Sequence, residues 1–201
     1  KISERLTSTH EESSEQIAEM KAQIAEDATG GKVAFFTRRY RKVILMAFCI
    51  AMFNQLSGIN AILYYAPKVM KLAGGEQVLG PAFPYVASVI VGLMNLIATM
   101  AALTVIDKLG RRQLMIVGSI GYLVSLGFLS AIMFAYKGGA FEEGSAVPVW
   151  LILIGLLAFI ASHAFGQGSV IWVFISEIFP NRVRARGQSL GSLTHWVFAF
   201  I

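Results

Sequence analysis

Asn54, Gln55 and Asn60 are carboxamides set inside an apolar run from about Val43 to Ala66. Such a run can cross a bilayer, which takes about 20 apolar residues. An amide without partners in hydrocarbon is costly, so these side chains are expected to face a protein interior or a wet cavity. On a regular helix, at about 100° per residue, Gln55 and Asn60 would point about 140° apart. Ser57-Gly58 lies between them, where a helix loosens most easily. A local break there would let both amides aim at one cavity. Carboxamides donate and accept hydrogen bonds without net charge. That suits a neutral, hydroxyl-rich solute better than an ion.

Other polar groups also lie at membrane depth. Asn95, in the run around Ile90–Leu96, is either a ligand for the same cavity or a helix–helix hydrogen bond. Trp172 can offer a flat ring face and an indole donor to a sugar, or pack against lipid. His163 and His195 have apolar surroundings, where each can contact a solute, carry a proton or serve as a satisfied core histidine. Neither has partners at metal-ligand spacing. No nucleophile–base set, phosphate-cradling loop or nucleotide motif is visible, so no enzyme activity, metal or cofactor is expected.

The charged residues gather at the ends of the apolar runs. Asp107-Lys108-Leu109-Gly110-Arg111-Arg112 joins two of them in a short turn, with Gly110 permitting the reversal. Ser176-Glu177-Ile178-Phe179-Pro180 closes a later run, and Glu177 is expected to pair with Arg111, Arg112 or Arg184. A network that forms in one state and breaks in another is a gate. A permanent one merely fixes the loops.

The elements that must position these groups are membrane spans. The 201 residues are 56% hydrophobic and 14% charged, with a mean hydropathy of +0.64. That balance points to a multi-pass membrane protein rather than a soluble domain. The net charge of +5 is confined to short clusters between apolar runs, a topology signal that does not call for nucleic acid. Cys49 is the single cysteine, so no intrachain disulfide forms. Spans are expected over residues 43–66, 85–106, 113–136 and 148–179, with a fifth over 187–201. Gly166-Gln167-Gly168 is expected to bend the fourth. Residues 1–42 read as a cytoplasmic helical linker with a weak apolar stripe at Ile17, Met20 and Ile24, ended by Gly30-Gly31. Basic clusters at 37–42, 107–112 and 181–186 mark the cytoplasmic side, and the poorly basic connectors 71–84 and 137–147 face outward. The chain opens on Lys without a signal peptide and closes inside an apolar stretch, which reads as an internal piece of a longer protein.

In combination these residues resemble the sugar porter family of the major facilitator superfamily. The resemblance rests on Gln55-Leu56-Ser57-Gly58-Ile59-Asn60, Tyr64-Tyr65, Asp107-x-x-Gly110-Arg111-Arg112, Trp172, Ser176-Glu177-Ile178-Phe179-Pro180 and Arg184, in the family's order and spacing. The family contains bacterial xylose and galactose proton symporters and animal facilitative glucose transporters. The resemblance implies an all-α membrane fold of twelve helices in two halves. This chain would supply most of the C-terminal half-bundle, partnered by the N-terminal half of the same transporter.

It also implies roles. Residues matching Gln55, Asn60 and Asn95 bind sugar hydroxyls, and Trp172 lines the site. Asn54 stands where many members carry a second Gln. His163 matches an aromatic pocket position, and His195 a position of Asn or Gln, so both are expected to contact sugar. Tyr64 and Tyr65 match an outer closing pair. Asp107, Gly110, Arg111, Arg112, Glu177 and Arg184 match an inner charge network. Gln167-Gly168-Ser169 departs from a Pro-containing pattern in several relatives. The implied function is alternating-access transport of a hexose or pentose across a bacterial inner membrane or plasma membrane, with protons as a candidate cosubstrate. A sugar sensor of the same fold and a polyol carrier are the alternatives.

Overall fold

The structure, a computed structural model, describes residues 17, 18, 21 and 34–200. Most of the expected cytoplasmic linker over 1–42 lies outside the described residues. The elements in order are α1 (Arg41–Leu56), α2 (Ile59–Leu72), α3 (Gly75–Leu79), α4 (Phe83–Leu109), α5 (Arg111–Lys137), α6 (Val147–His163), a π-helical turn (Ala164–Gly168), α7 (Val170–Ile178) and α8 (Asn181–Phe200). Among the described residues, four stretches are long and apolar enough to cross a membrane: Arg41–Leu72, Phe83–Leu109, Arg111–Lys137 and Val147–Ile178.

Two helices extend into stretches expected as connectors. The last helix begins at Asn181, so the basic stretch 181–186 forms its first turns, ahead of the span expected over 187–201. Arginine has high helix propensity, and a proline just ahead of a helix breaks the preceding one without disturbing the next. Val183 N donates to Pro180 O at 3.0 Å across this start. Hydropathy alone stops at the charges, whereas the backbone does not. The connector after the first span likewise contains a short helix, α3.

The first span is interrupted where Ser57-Gly58 suggested. Gly58 has φ +86°, a left-handed conformation that glycine adopts at little cost. Ser57 Oγ donates to Asn54 O at 2.6 Å and so partners a carbonyl at the interruption. The fourth span is interrupted by the π-turn at Ala164–Gly168, over the glycines expected to bend it.

Each interrupted span has one arm in each of two cores. Ile59 and Met70 of α2 pack with Val91 of α4 and Ile152, Leu156 and Phe159 of α6, and Tyr122 and Leu126 of α5 lie against them. Ala47 and Ala51 of α1 pack instead with Ile171 and Ile175 of α7, with Phe179 in the link that follows it and with Val183 of α8. Lipid tails are as apolar as leucine, so helices in a membrane gain mainly from close approach, which small residues permit. Gly118 of α5 and Gly166 of the π-turn meet backbone to backbone. A Cβ on Gly118 would lie 2.8 Å from Ser162 O and overlap Gly166, and a Cβ on Gly166 would lie 2.9 Å from Leu114 O.

This crossing can be tested on one helix. Gly118→Ala should destabilise the full-length protein by about 1–3 kcal/mol, because backbone cannot swing aside as a side chain can. Gly127→Ala, on the same helix with nothing within 4 Å of its added Cβ, should be neutral or stabilise by up to about 1 kcal/mol. Thermal unfolding in detergent reads both. Equal midpoints would mean that the α5 crossing is looser than described.

Candidate functional site

Asn54 and Gln55 occupy the last turn of α1, and both side chains are buried. The break that follows leaves them at the end of a helix rather than in its middle. Asn54 Oδ1 and Gln55 Nε2 are buried without a hydrogen-bond partner among the described residues. A buried polar atom left unpaired costs about 1–3 kcal/mol, so natural structures rarely keep one without a reason. Asn60 lies half-buried in the first turn of α2, beyond the left-handed Gly58. Asn95 is half-buried on α4, flanking the buried stripe of Val91 and Ala98.

His163 ends α6 and is buried. Its Nδ1 lies 3.4 Å from Ser57 Oγ, so it links the π-turn end of one interrupted span to the break in the other. Phe159 stacks on its ring at 6.0 Å between centroids, and Tyr122 stands tilted at 6.3 Å. The structure thus gives His163 protein partners. Trp172 and His195 meet edge to face, 4.9 Å between centroids and 63° between planes. His195 Nδ1 is buried without a hydrogen-bond partner among the described residues. These three atoms sit on α1 and α8, which pack against each other; Thr37 Oγ1, Arg111 Nε and Ser169 Oγ are likewise buried without a partner among the described residues.

Tyr64 and Tyr65 stand exposed on α2, with the Lys68 ammonium 6.0 Å from the Tyr65 ring centroid. The charged residues converge on Arg111. Its Nη1 lies 3.1 Å from Asp107 Oδ1 and its Nη2 2.8 Å from Glu177 Oε1. That pairing ties the α4–α5 corner to the end of α7. Gly110, with φ +79°, is the only residue between α4 and α5. Arg112 and Arg184, named as possible partners for Glu177, are exposed and form no ion pair among the described residues.

Sequence reasoning missed two links. Ser57 was read only as a loosening residue, although its hydroxyl contacts His163. Gln167 Nε2 donates to Ser119 Oγ at 2.8 Å. An amide between two glycines at membrane depth signals the first partner of that bond, while nothing local marks Ser119.

Comparison with known proteins adds a different kind of observation. A family profile described as "Sugar (and other) transporter" matches residues 1–201. The arabinose-proton symporter of Bacillus subtilis is 31% identical over 182 residues, covering 90% of this chain and 36% of the symporter. The facilitated trehalose transporter Tret1 of Bombyx mori is 29% identical over 182 residues, covering 90% of this chain and 34% of Tret1. A crystal structure of a double-tryptophan variant of XylE superposes with a TM-score of 0.71 at 29% identity, covering 94% of this chain and 36% of that one. The chain thus spans about a third of the length of these relatives.

The Arg111 centre has a measurable signature. Arg111→Ala should lower stability by about 1 kcal/mol, as expected for two exposed pairs worth about 0.2–1 kcal/mol each. Arg112→Ala should stay within about 0.5 kcal/mol of wild type. The Arg111→Ala deficit should shrink between about 0.1 M and 1 M salt, since exposed pairs are screened. Unfolding midpoints at both salt concentrations read this. An equal loss from Arg112→Ala would remove Arg111 from the centre of the network.

Proposed function

The chain belongs to the sugar (and other) transporter family, and on that premise we propose that the protein carries a monosaccharide, a hexose or pentose, across a membrane by alternating access, with a proton as cosubstrate. Its relatives are transporters, so it is not an enzyme. It is an all-α, multi-pass membrane protein.

One observation carries the reading of the solute. Asn54 Oδ1, Gln55 Nε2 and His195 Nδ1 are buried and have no hydrogen-bond partner among the described residues. A vicinal set of sugar hydroxyls can donate and accept at once, and so complement an amide oxygen, an amide nitrogen and an imidazole. Each such bond contributes about 0.5–1.5 kcal/mol net, enough in sum for recognition and weak enough for release. Asn60 and Asn95 extend the same chemistry from α2 and α4. Trp172 would lie against the sugar's C–H face. His163, held by Ser57, would shape the cavity beside these groups.

The two interrupted spans support the transport cycle in this reading. Each has one arm in each of the two cores, so bending at Gly58 or at the π-turn would let this half adjust around a solute held between it and the N-terminal half, as the two halves rock about the site. By the positive-inside rule, the Arg111 network lies on the cytoplasmic side and Tyr64 and Tyr65 toward the outside. The name of the arabinose-proton symporter supports a pentose-sized solute and proton coupling. The name of the facilitated trehalose transporter favours a second reading, uncoupled equilibration of a larger sugar.

Reconstitution of the full-length protein separates these. Arabinose, xylose, glucose and trehalose would be offered to liposomes with and without an inward proton gradient. Accumulation of a monosaccharide only with the gradient is the expected result. Equilibration indifferent to the gradient supports the second reading, and binding without flux would make the protein a sensor. Gln55→Ala and Trp172→Ala should each weaken binding by about tenfold or more, equivalent to about 1.4 kcal/mol, with little change in unfolding midpoint. Unchanged affinity in both would place the sugar elsewhere.

A further inference from the structure

The π-turn at Ala164–Gly168 interrupts the α-helix of the fourth span, and it also sets the register of everything after it. A π-turn closes over one more residue than an α-turn. One residue corresponds to about 100° of rotation on a helix, so its presence turns α7 by that amount relative to α6. Trp172 is the third residue of α7. With the turn in place, Val170, Ile171 and Ile175 are buried while Trp172 meets the edge of His195. Relaxation to a plain α-helix would carry Trp172 away from His195, or the apolar residues out of the core.

A widened turn needs support from outside its own backbone, and α5 supplies it. Gln167 Nε2 donates to Ser119 Oγ at 2.8 Å. The neighbouring residues, Gly118 and Gly166, meet backbone to backbone, with no room for a Cβ on either. The glycines bring α5 to the turn, and the amide then fastens the one long polar side chain within it. Helix α5 itself contributes none of the candidate sugar contacts.

We propose that Gln167 is a positioning residue for sugar recognition, holding the π-turn through Ser119 in the register that presents Trp172 to the site. This rests on the reading of Trp172 as a sugar contact. It predicts that a side chain on a peripheral helix tunes affinity through a single hydrogen bond.

The test uses the full-length protein. Ser119→Ala and Gln167→Ala should each weaken equilibrium sugar binding by about tenfold, and the double variant should be no weaker than either single one, as for two residues acting through one bond. Ser119→Thr, which keeps the hydroxyl, should bind as wild type. In a Trp150→Phe/Trp196→Phe background, Trp172 is the only tryptophan among residues 1–201. Masking any further tryptophans in the same way, its emission in the sugar-free protein should shift on Ser119→Ala. Unchanged affinity with a lowered unfolding midpoint would reduce the bond to a structural tie and overturn the proposal, as would additive losses in the double variant. If the wild type binds no sugar, the proposed function fails and the recognition role fails with it; the emission of Trp172 still decides whether Gln167 holds the register of α7, and an unshifted spectrum overturns that part too.

Discussion

Backbone polar groups cannot be left open in hydrocarbon, and this structure depends on how it repairs the two places where it opens them. A continuous helix satisfies every internal N–H and C=O. An interruption frees some of them, at several kcal/mol for each group left bare. At the first interruption, Ser57 N still reaches Phe53 O at 3.1 Å and Gly58 N reaches Gln55 O at 3.3 Å. The Ser57 hydroxyl then covers Asn54 O. At the second, the π-turn keeps the ladder closed by widening it instead of breaking it. The two repairs touch, since the same Ser57 hydroxyl lies against His163 at the entrance to the π-turn.

Those repairs determine how the helices pack. Because the first and fourth long stretches are each interrupted partway, their arms fall in different cores. The small residues follow the same geometry. Ala47 and Ala51 let α1 approach α8, and Gly118 and Gly166 let α5 cross the π-turn. Larger residues there would push apart the segments that the interruptions bring together. Polar satisfaction and close packing therefore constrain the same few positions.

Much of this was legible from residue types. The apolar runs expected as the first four spans overlap the four long apolar helical stretches, and Ser57-Gly58 and Gly166-Gln167-Gly168 marked the interruptions, because glycine loosens a helix where it stands. What was hidden depends on long-range choice. The start of α8 at Asn181 could not be read from hydropathy, since arginine is polar and yet a good helix former. Glu177 had three arginines within plausible reach, and only the crossing of α4, α5 and α7 selects Arg111. Ser119 carries no local signal, because its importance comes entirely from what faces it across the α5 crossing. For the candidate site, sequence identified the amides as polar groups at membrane depth. It could not foresee that Asn54 and Gln55 are left unpartnered while His163 is engaged by Ser57.

The magnitudes point to a division of roles between the two polar regions. The Arg111 pairs are solvent-accessible, with Asp107 and Glu177 largely exposed, so each contributes about 0.2–1 kcal/mol. The buried atoms on Asn54, Gln55 and His195 each carry a desolvation cost of about 1–3 kcal/mol while unpaired. A solute that satisfied two or three of them, at about 0.5–1.5 kcal/mol net each, would match or exceed what the Arg111 pairs hold. Under the proposed function, sugar binding at the amides is therefore strong enough to bias the conformational equilibrium against the charged network, whereas the network is too weak to lock the protein in one state. A ligand shifts such an equilibrium only through its differential affinity for the two states. The buried amides, and the π-turn that orients Trp172 beside them, are where that difference would have to arise.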